Sequence, residues 1–189
     1  EVGTRIRPSD WMMAELTAYQ LTTSKDFIET VAGSGEFDNV GKTTRNGLEL
    51  GLDLYGFDYG YLHTDYGYID AKFDEYQLGG QSFAGKELSR VPAHIFNLEI
   101  GYKPSDGLGG RLRYHWEDGY YLDRQNERES ESWGRLDAQL SYGFGTERKY
   151  RCSFDIINLL DNEYADYTSA TSYSPALPLS AYLTMIVEF

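Results

Sequence analysis

The stretch that decides the fold closes the sequence: Leu179-Ser-Ala-Tyr-Leu-Thr-Met-Ile-Val-Glu-Phe189. Counting back from Phe189 in steps of two gives Val187, Met185, Leu183, Ala181 and Leu179, all apolar. Between them stand Glu188, Thr184, Tyr182 and Ser180, with Ile186 as the exception. A strand sends alternate side chains to opposite faces, so this segment has one greasy face and one mostly polar face. That pattern fits a soluble sheet with its apolar row turned to a core. It also fits a membrane barrel with that row turned to lipid, and the rest of the chain decides between the two.

The same alternation recurs upstream. Leu48, Leu50, Leu52 and Leu54 alternate with Glu49, Gly51, Asp53 and Tyr55. Phe96, Leu98, Ile100 and Tyr102 alternate with Asn97, Glu99, Gly101 and Lys103. Leu112, Tyr114 and Trp116 alternate with Arg111, Arg113, His115 and Glu117. The cleanest case sets Leu136, Ala138, Leu140, Tyr142 and Phe144 against Arg135, Asp137, Gln139, Ser141 and Gly143. Apolar residues fall at helical spacing nowhere over a useful length. The expected strands are about nine: Glu1–Arg7, Trp11–Thr30, Lys42–Tyr55, Tyr59–Lys72, Arg90–Lys103, Gly110–Asp123, Trp133–Phe144, Tyr150–Leu160 and the terminal segment. Several run past the five or six residues usual in soluble sheets and reach the 9 to 11 that a tilted membrane strand needs.

The connections alternate as well. Short turns are expected at Pro8–Asp10, Gly56–Asp58, Pro104–Gly109 and Gly145–Lys149, and long polar loops at Ala32–Asp38, Phe73–Ser89, Arg124–Ser132 and Asp161–Pro178. An up-and-down meander puts all the short turns at one end and all the long loops at the other, as outer-membrane barrels do. Trp11, Tyr102, Trp116, Trp133, Tyr142 and Phe144 lie near strand ends, where aromatic girdles belong. The expected fold is therefore all-β, an antiparallel up-and-down portion of a transmembrane β-barrel.

Composition agrees. The net charge of −13 argues against nucleic acid as a partner. No apolar run is long enough for a transmembrane helix. A mean hydropathy of −0.53 suits a barrel, because half of each strand faces a polar lumen. The single Cys152 excludes an internal disulfide and reads as a small apolar strand residue. Nine strands do not close a barrel of even strand number, and Glu1 follows neither an initiator Met nor a leader, so the expectation is a part of a larger barrel that does not close by itself.

Three stretches carry a family resemblance: Asn39-Val-Gly-Lys-Thr-Thr-Arg-Asn-Gly-Leu-Glu-Leu50, Arg90-Val-Pro-Ala-His-Ile-Phe-Asn-Leu98 and Asp155-Ile-Ile-Asn-Leu-Leu-Asp-Asn-Glu-Tyr-Ala-Asp-Tyr167. In order and position they resemble the C-terminal half of TonB-dependent outer-membrane receptors. The resemblance implies that residues 1–189 are the C-terminal portion of a barrel of about 22 strands. The N-terminal plug domain and the TonB-contacting box lie outside this sequence. It further implies energised uptake of a scarce ligand, most often a ferric siderophore and otherwise cobalamin, haem or a sugar. The terminal row of Phe189, Val187, Met185, Leu183 and Ala181 resembles the signal read by the barrel-assembly machinery.

Candidate ligand contacts are the aromatic and basic residues of the long loops: Arg124, Trp133, Tyr164, Tyr167 and Tyr173. Tyrosine rings stack on a ligand, and arginine pairs with an anionic complex. Trp133 also reads as girdle, and Arg124 as a solvated loop charge. The acidic groups Asp161, Glu163 and Asp166, or Asp70, Asp74 and Glu75, lack the spacing of a calcium loop and read as contacts to lipopolysaccharide or as solvated charge. His63, His94 and His115 have no metal-ligand spacing, and no cofactor or metal is expected. His63 with Asp65 on one strand face is the sole hint of catalysis. Two other readings are a smaller outer-membrane barrel enzyme and an adhesin without TonB coupling; a transport receptor is favoured over both.

Overall fold

The computed structural model describes residues 1–29, 35, 37–39, 41–56, 58–145, 149–168 and 172–188. Their strands, in chain order, are β1 (Val2–Ser9), β2 (Met12–Ser24), β3 (Phe27–Glu29), β4 (Phe37–Asn39), β5 (Lys42–Gly56), β6 (Gly60–Glu75), β7 (Gln77–Leu78), β8 (Gln81–Ser82), β9 (His94–Tyr102), β10 (Gly107–Glu117), β11 (Trp133–Phe144), β12 (Lys149–Ile157), β13 (Ala165–Thr168), β14 (Tyr173–Pro175) and β15 (Ser180–Glu188). Nine of them make one sheet in the order β1-β2-β5-β6-β9-β10-β11-β12-β15, every pair antiparallel. The meander is the one expected. The sheet is open in this chain, with β1 and β15 as its edges.

Register explains the apolar rows. Met12 stands opposite Leu54, which stands opposite Leu62, then Ile100, Leu112, Ala138, Ile156 and Ala181. Every greasy alternate position therefore lands on one face across all these strands, and a one-residue slip would reverse it. Among the described residues this face is left uncovered: Leu183 is 81% exposed and Leu140 55%. The buried core lies elsewhere, at the loop end, where Ala71, Phe73, Tyr76, Phe83 and Leu88 cluster.

The apolar face has a boundary. The row Ala18·Leu48·Tyr68·His94 is followed, one step toward the loops, by Gln20·Asn46·Asp70. Above it Gln20 donates to Asn46 at 2.7 Å, Thr22 meets Thr44 at 3.2 Å, and Thr44 donates to Asp74 at 2.6 Å. Side chains on the same face thus change from apolar to hydrogen-bonding at one level on three strands. Aromatic rings gather at both ends of the apolar zone. Tyr59, Tyr102, Tyr142, Phe144 and Tyr150 pair at the turn end, and Tyr66, Tyr68, His94, Phe96 and Tyr114 at the loop end.

Several expected boundaries shift, for identifiable reasons. Pro8 and Ser9 belong to β1, and the turn is at 10–11 with Trp11 inside it. The β1–β2 register is irregular between Ile6 and Ser9, where a proline without an N–H is tolerated on an edge strand. Strand β12 stops at Ile157 rather than Leu160, because Asn158 turns the chain at φ +57°. Strand β9 starts at His94 and β10 ends at Glu117, both later and earlier, respectively, than expected. The long loops hold the small hairpins β3–β4, β7–β8 and β13–β14, which were not expected. Phe189 lies outside the described residues; Val187, Met185, Leu183 and Ala181 line the apolar face opposite Tyr150, Cys152, Phe154 and Ile156.

Candidate functional site

The other face of the sheet is polar, and register builds it into rows. Asp53, His63, Glu99, Arg113 and Asp137 stand directly opposite one another on five successive strands, β5 to β11. One step toward the loops lie Gly51, Asp65, Asn97, His115 and Arg135. Glu99 is the centre of the first row. It accepts two bonds from Arg113, at 2.8 and 2.6 Å, and one from Tyr61 at 2.7 Å, with Arg111 at 3.9 Å. His63 bridges two carboxylates, bonding Asp53 through Nδ1 and Asp65 through Nε2 at 2.9 Å. In the second row His115 meets Asn97 at 2.7 Å, and Arg135 reaches Asp137 at 3.1 Å.

Glycines let rings lie flat on this wall. A side chain at Gly101 would strike the ring of Tyr61, and one at Gly47 would strike Tyr19. Glycine at Gly47 in the Gly47-Leu48-Glu49 stretch is thus a space for a neighbouring tyrosine.

Toward the loops the wall becomes aromatic. Trp133 is opposite Glu117 on the polar face, so it is not a girdle residue. Its ring stacks on Tyr164 at 4.2 Å and 10°, and His115 lies against its ring at 4.9 Å. Arg135 donates to the Tyr164 hydroxyl at 3.3 Å. Trp133 and Tyr164 are therefore brought together, with His115 and Arg135 as companions that the sequence reading did not single out. The remaining candidates go elsewhere. Arg124 lies over the Tyr76 ring at 5.7 Å, and Tyr167 receives Arg90 at 5.5 Å. Tyr173, on β14, is 71% exposed.

The Asn158-Leu-Leu-Asp161 stretch is a built turn. Asn158 is fully buried; its amide donates to the carbonyls of Asn162 and Leu177 and accepts from the Asn162 amide, at 2.9, 3.2 and 3.0 Å. Asp161 accepts the Leu179 amide at 2.9 Å. The acidic residues Asp70 and Asp74 are engaged by Lys72 and by Lys42 and Thr44.

Two loop carboxylates are tuned. Burial pushes Asp26 up, but hydrogen bonds from Thr43 and Arg45 outweigh it and hold the carboxyl below its ordinary range. Burial likewise opposes the Glu127 amide and the Arg128 guanidinium at Asp123, and the bonds again win.

The family model for TonB dependent receptor-like, beta-barrel matches residues 1–159. The chain belongs to the TonB-dependent receptor β-barrel family. Solved structures with the same fold include three siderophore-related receptors. The ferric preacinetobactin receptor BauA of Acinetobacter baumannii superposes with TM-score 0.81 at 16% identity, over 99% of this chain and 28% of that one. The ferric yersiniabactin uptake receptor FyuA of Yersinia pestis gives 0.79 at 19%, over 99% and 29%. The siderophore receptor PiuA of Acinetobacter baumannii gives 0.74 at 21%, over 95% and 26%. This receptor-barrel chain thus spans under a third of the length of the receptors it matches. These neighbours are receptors by name, and the cross-strand neighbours of His63 in this chain are the carboxylates Asp53 and Glu99.

Proposed function

We propose that this chain is the C-terminal part of the barrel of an outer-membrane receptor that takes up a ferric siderophore with energy delivered by TonB. The observation that carries the reading is the family match across residues 1–159. The two-faced wall supports it physically. A face that is apolar for four alternate positions of β5 and then turns polar at Asn46 suits a bilayer, whose core gives backbone and charges no partners. On this reading the polar face lines the lumen, and a plug in the N-terminal part of the protein fills it and contacts TonB.

The ligand would meet the loop end of the lumen. Trp133 and Tyr164 offer an aromatic platform, and Arg135 beneath it offers charge for the anionic oxygens of a ferric chelate. Arg124, Tyr167 and Tyr173 would border the same opening. The barrel-assembly machinery would read the terminal row, and lipopolysaccharide would lie against the polar belt of Asn46, Asp70 and Lys72.

The test is uptake. The full-length receptor is expressed in an iron-starved host that lacks its own siderophore receptors, and radioiron accumulation is followed with a panel of ferric siderophores. Uptake of one of them that disappears when TonB is deleted is the expected result. TonB-independent uptake, or none across hydroxamate, catecholate and carboxylate chelates, overturns it.

A further inference from the structure

Three connections at the loop end are tied to one another rather than standing apart. The segment 76–93 folds onto the polar face, because Ala71 and Phe73 at inward positions of β6 form the buried cluster with its Tyr76, Phe83 and Leu88. The segment 118–132 is clipped onto it. Asn126 accepts the Glu87 amide at 2.8 Å through its side-chain oxygen and donates to the Glu87 carbonyl at 3.1 Å through its side-chain nitrogen, as a neighbouring strand would. The Arg90 amide donates to the Tyr121 carbonyl at 2.9 Å, and Arg124 covers the Tyr76 ring. Asp123 shapes the tip that presents Asn126, accepting from the amide of Glu127 at 3.0 Å and from Arg128 at 3.1 Å.

The segment 158–168 joins the same unit. The Tyr120 hydroxyl sits between the Thr168 amide and carbonyl, at 3.3 and 3.4 Å. Arg90 lies over Tyr167, and Tyr164 is stacked on Trp133. The 118–132 segment therefore holds a neighbour on each side. Each tie alone is worth little, but together they remove the independent motions that separate loops have.

We propose that segments 76–93, 118–132 and 158–168 form one rigid shelf over the inner wall, with Asn126 as the positioning residue that joins its first two parts. This side of the opening is then a fixed wall, assembled before any ligand arrives. The inference takes from the proposed function only the idea that the opening admits a ligand, and its test needs no ligand, so a receptor that transports nothing in the uptake assay still answers it.

The experiment uses the purified full-length receptor with Cys152→Ser and other native cysteines replaced. Spin labels are attached at Gln81→Cys, Glu131→Cys and Glu163→Cys, all exposed positions, in pairs. Electron–electron distance measurements are expected to give one narrow peak for each of the 81–131 and 131–163 pairs. Asn126→Gly keeps the backbone at its φ of +57° free of strain and removes only the amide. It is expected to broaden the 81–131 distribution relative to the parent, the Arg90–Tyr121 and Arg124–Tyr76 ties remaining, while leaving 131–163 unchanged. Asn126→Asp, which keeps the acceptor for the Glu87 amide but sets a carboxylate oxygen against the Glu87 carbonyl, is expected to leave the 81–131 peak broader than the parent's. Broad distances in the parent, or an Asn126→Gly variant indistinguishable from it, overturn the proposal.

Discussion

The two faces of the wall are made by the same strands and obey opposite chemistry. On the outer face Leu48, Leu50, Leu52 and Leu54 stand opposite Ala18, Leu16, Ala14 and Met12 on β2 and opposite Tyr68, Tyr66, Thr64 and Leu62 on β6. On the inner face the residues between them, with their partners on β6 and β9, make ion pairs and hydrogen bonds centred on His63 and Glu99. The outer face needs only a class of residue at each position, because dispersion and solvent exclusion have no direction. The inner face needs particular partners at particular registers. Substitutions should therefore be judged by face before residue type.

The sharpest way to break the comparison is to move one charge across the wall. Leu52→Arg places a cation in the middle of the apolar zone and is expected to cost about 2–4 kcal/mol in a bilayer. Glu49→Arg, inward on the same strand, is expected to change stability by less than about 0.5 kcal/mol. Denaturant unfolding of the full-length receptor in lipid vesicles, read beside heat-modifiable gel migration, separates the two. Equal losses would mean that the assignment of faces is wrong.

A smaller effect is expected where both faces end. Asn158 stops β12 and holds the start of the last loop. Asn158→Gly keeps the positive φ but strips the side chain from the Asn162 amide and the Leu177 carbonyl, costing about 1–3 kcal/mol. The loss should appear as faster proteolysis between Asp161 and Pro178, with the Trp133 stack loosened because Tyr164 lies on that loop. Tryptophan fluorescence of receptor in which every tryptophan except Trp133 is replaced by Phe would report the loosening.

This contrast also explains what could be read from sequence. The outer face was legible because a period of two is a local property: Leu136 to Phe144 shows it without knowledge of any partner. Loop sorting followed from the turn residues. The inner rows were hidden, since Asp53, His63, Glu99 and Arg113 become neighbours only when four strands take one register. Trp133 was ambiguous for the same reason. Its closeness to a loop suited a girdle, and parity relative to Leu136 was the available signal that it faces inward. The hairpins β3–β4, β7–β8 and β13–β14 are too short for periodicity to show. Asn158 was visible as a family motif, but its work as a buried turn anchor depends on contacts to Asn162 and Leu177.

Within the inner face, the Glu99 centre should be resilient. Arg113→Ala removes two bonds but leaves Tyr61 at 2.7 Å, and the Arg113 side chain itself is 48% exposed, so the pair is screened. The expected cost is no more than about 1 kcal/mol, measured by the same unfolding assay. Arg113→Ala with Tyr61→Phe should cost more than the two single changes added together, because Glu99 then keeps only the distant Arg111.

The smallest effect is one of pH, and it should touch the loop end alone. Asp26 is held below its ordinary range, so the folded state keeps it ionised to lower pH than the unfolded chain does, where its value is about 3.9. The stability it contributes is fully present above that value and fades as pH falls through its lower folded value. Between pH 7 and 5 nothing should change. Below about 3.9, the loss of the Thr43 and Arg45 contacts should open the base of the loop, where the Lys25 amide donates to Gly41 at 2.8 Å. Hydrogen exchange at Lys25, corrected for its intrinsic pH dependence, should rise there and be pH-flat in Asp26→Asn. The amides of Leu50 and Leu52 should show no such step, since apolar contacts on the outer face carry no proton to lose. A step at those amides too would mean that acid loosens the whole wall, and that the carboxylates of the inner face support the outer one more than their exposure suggests.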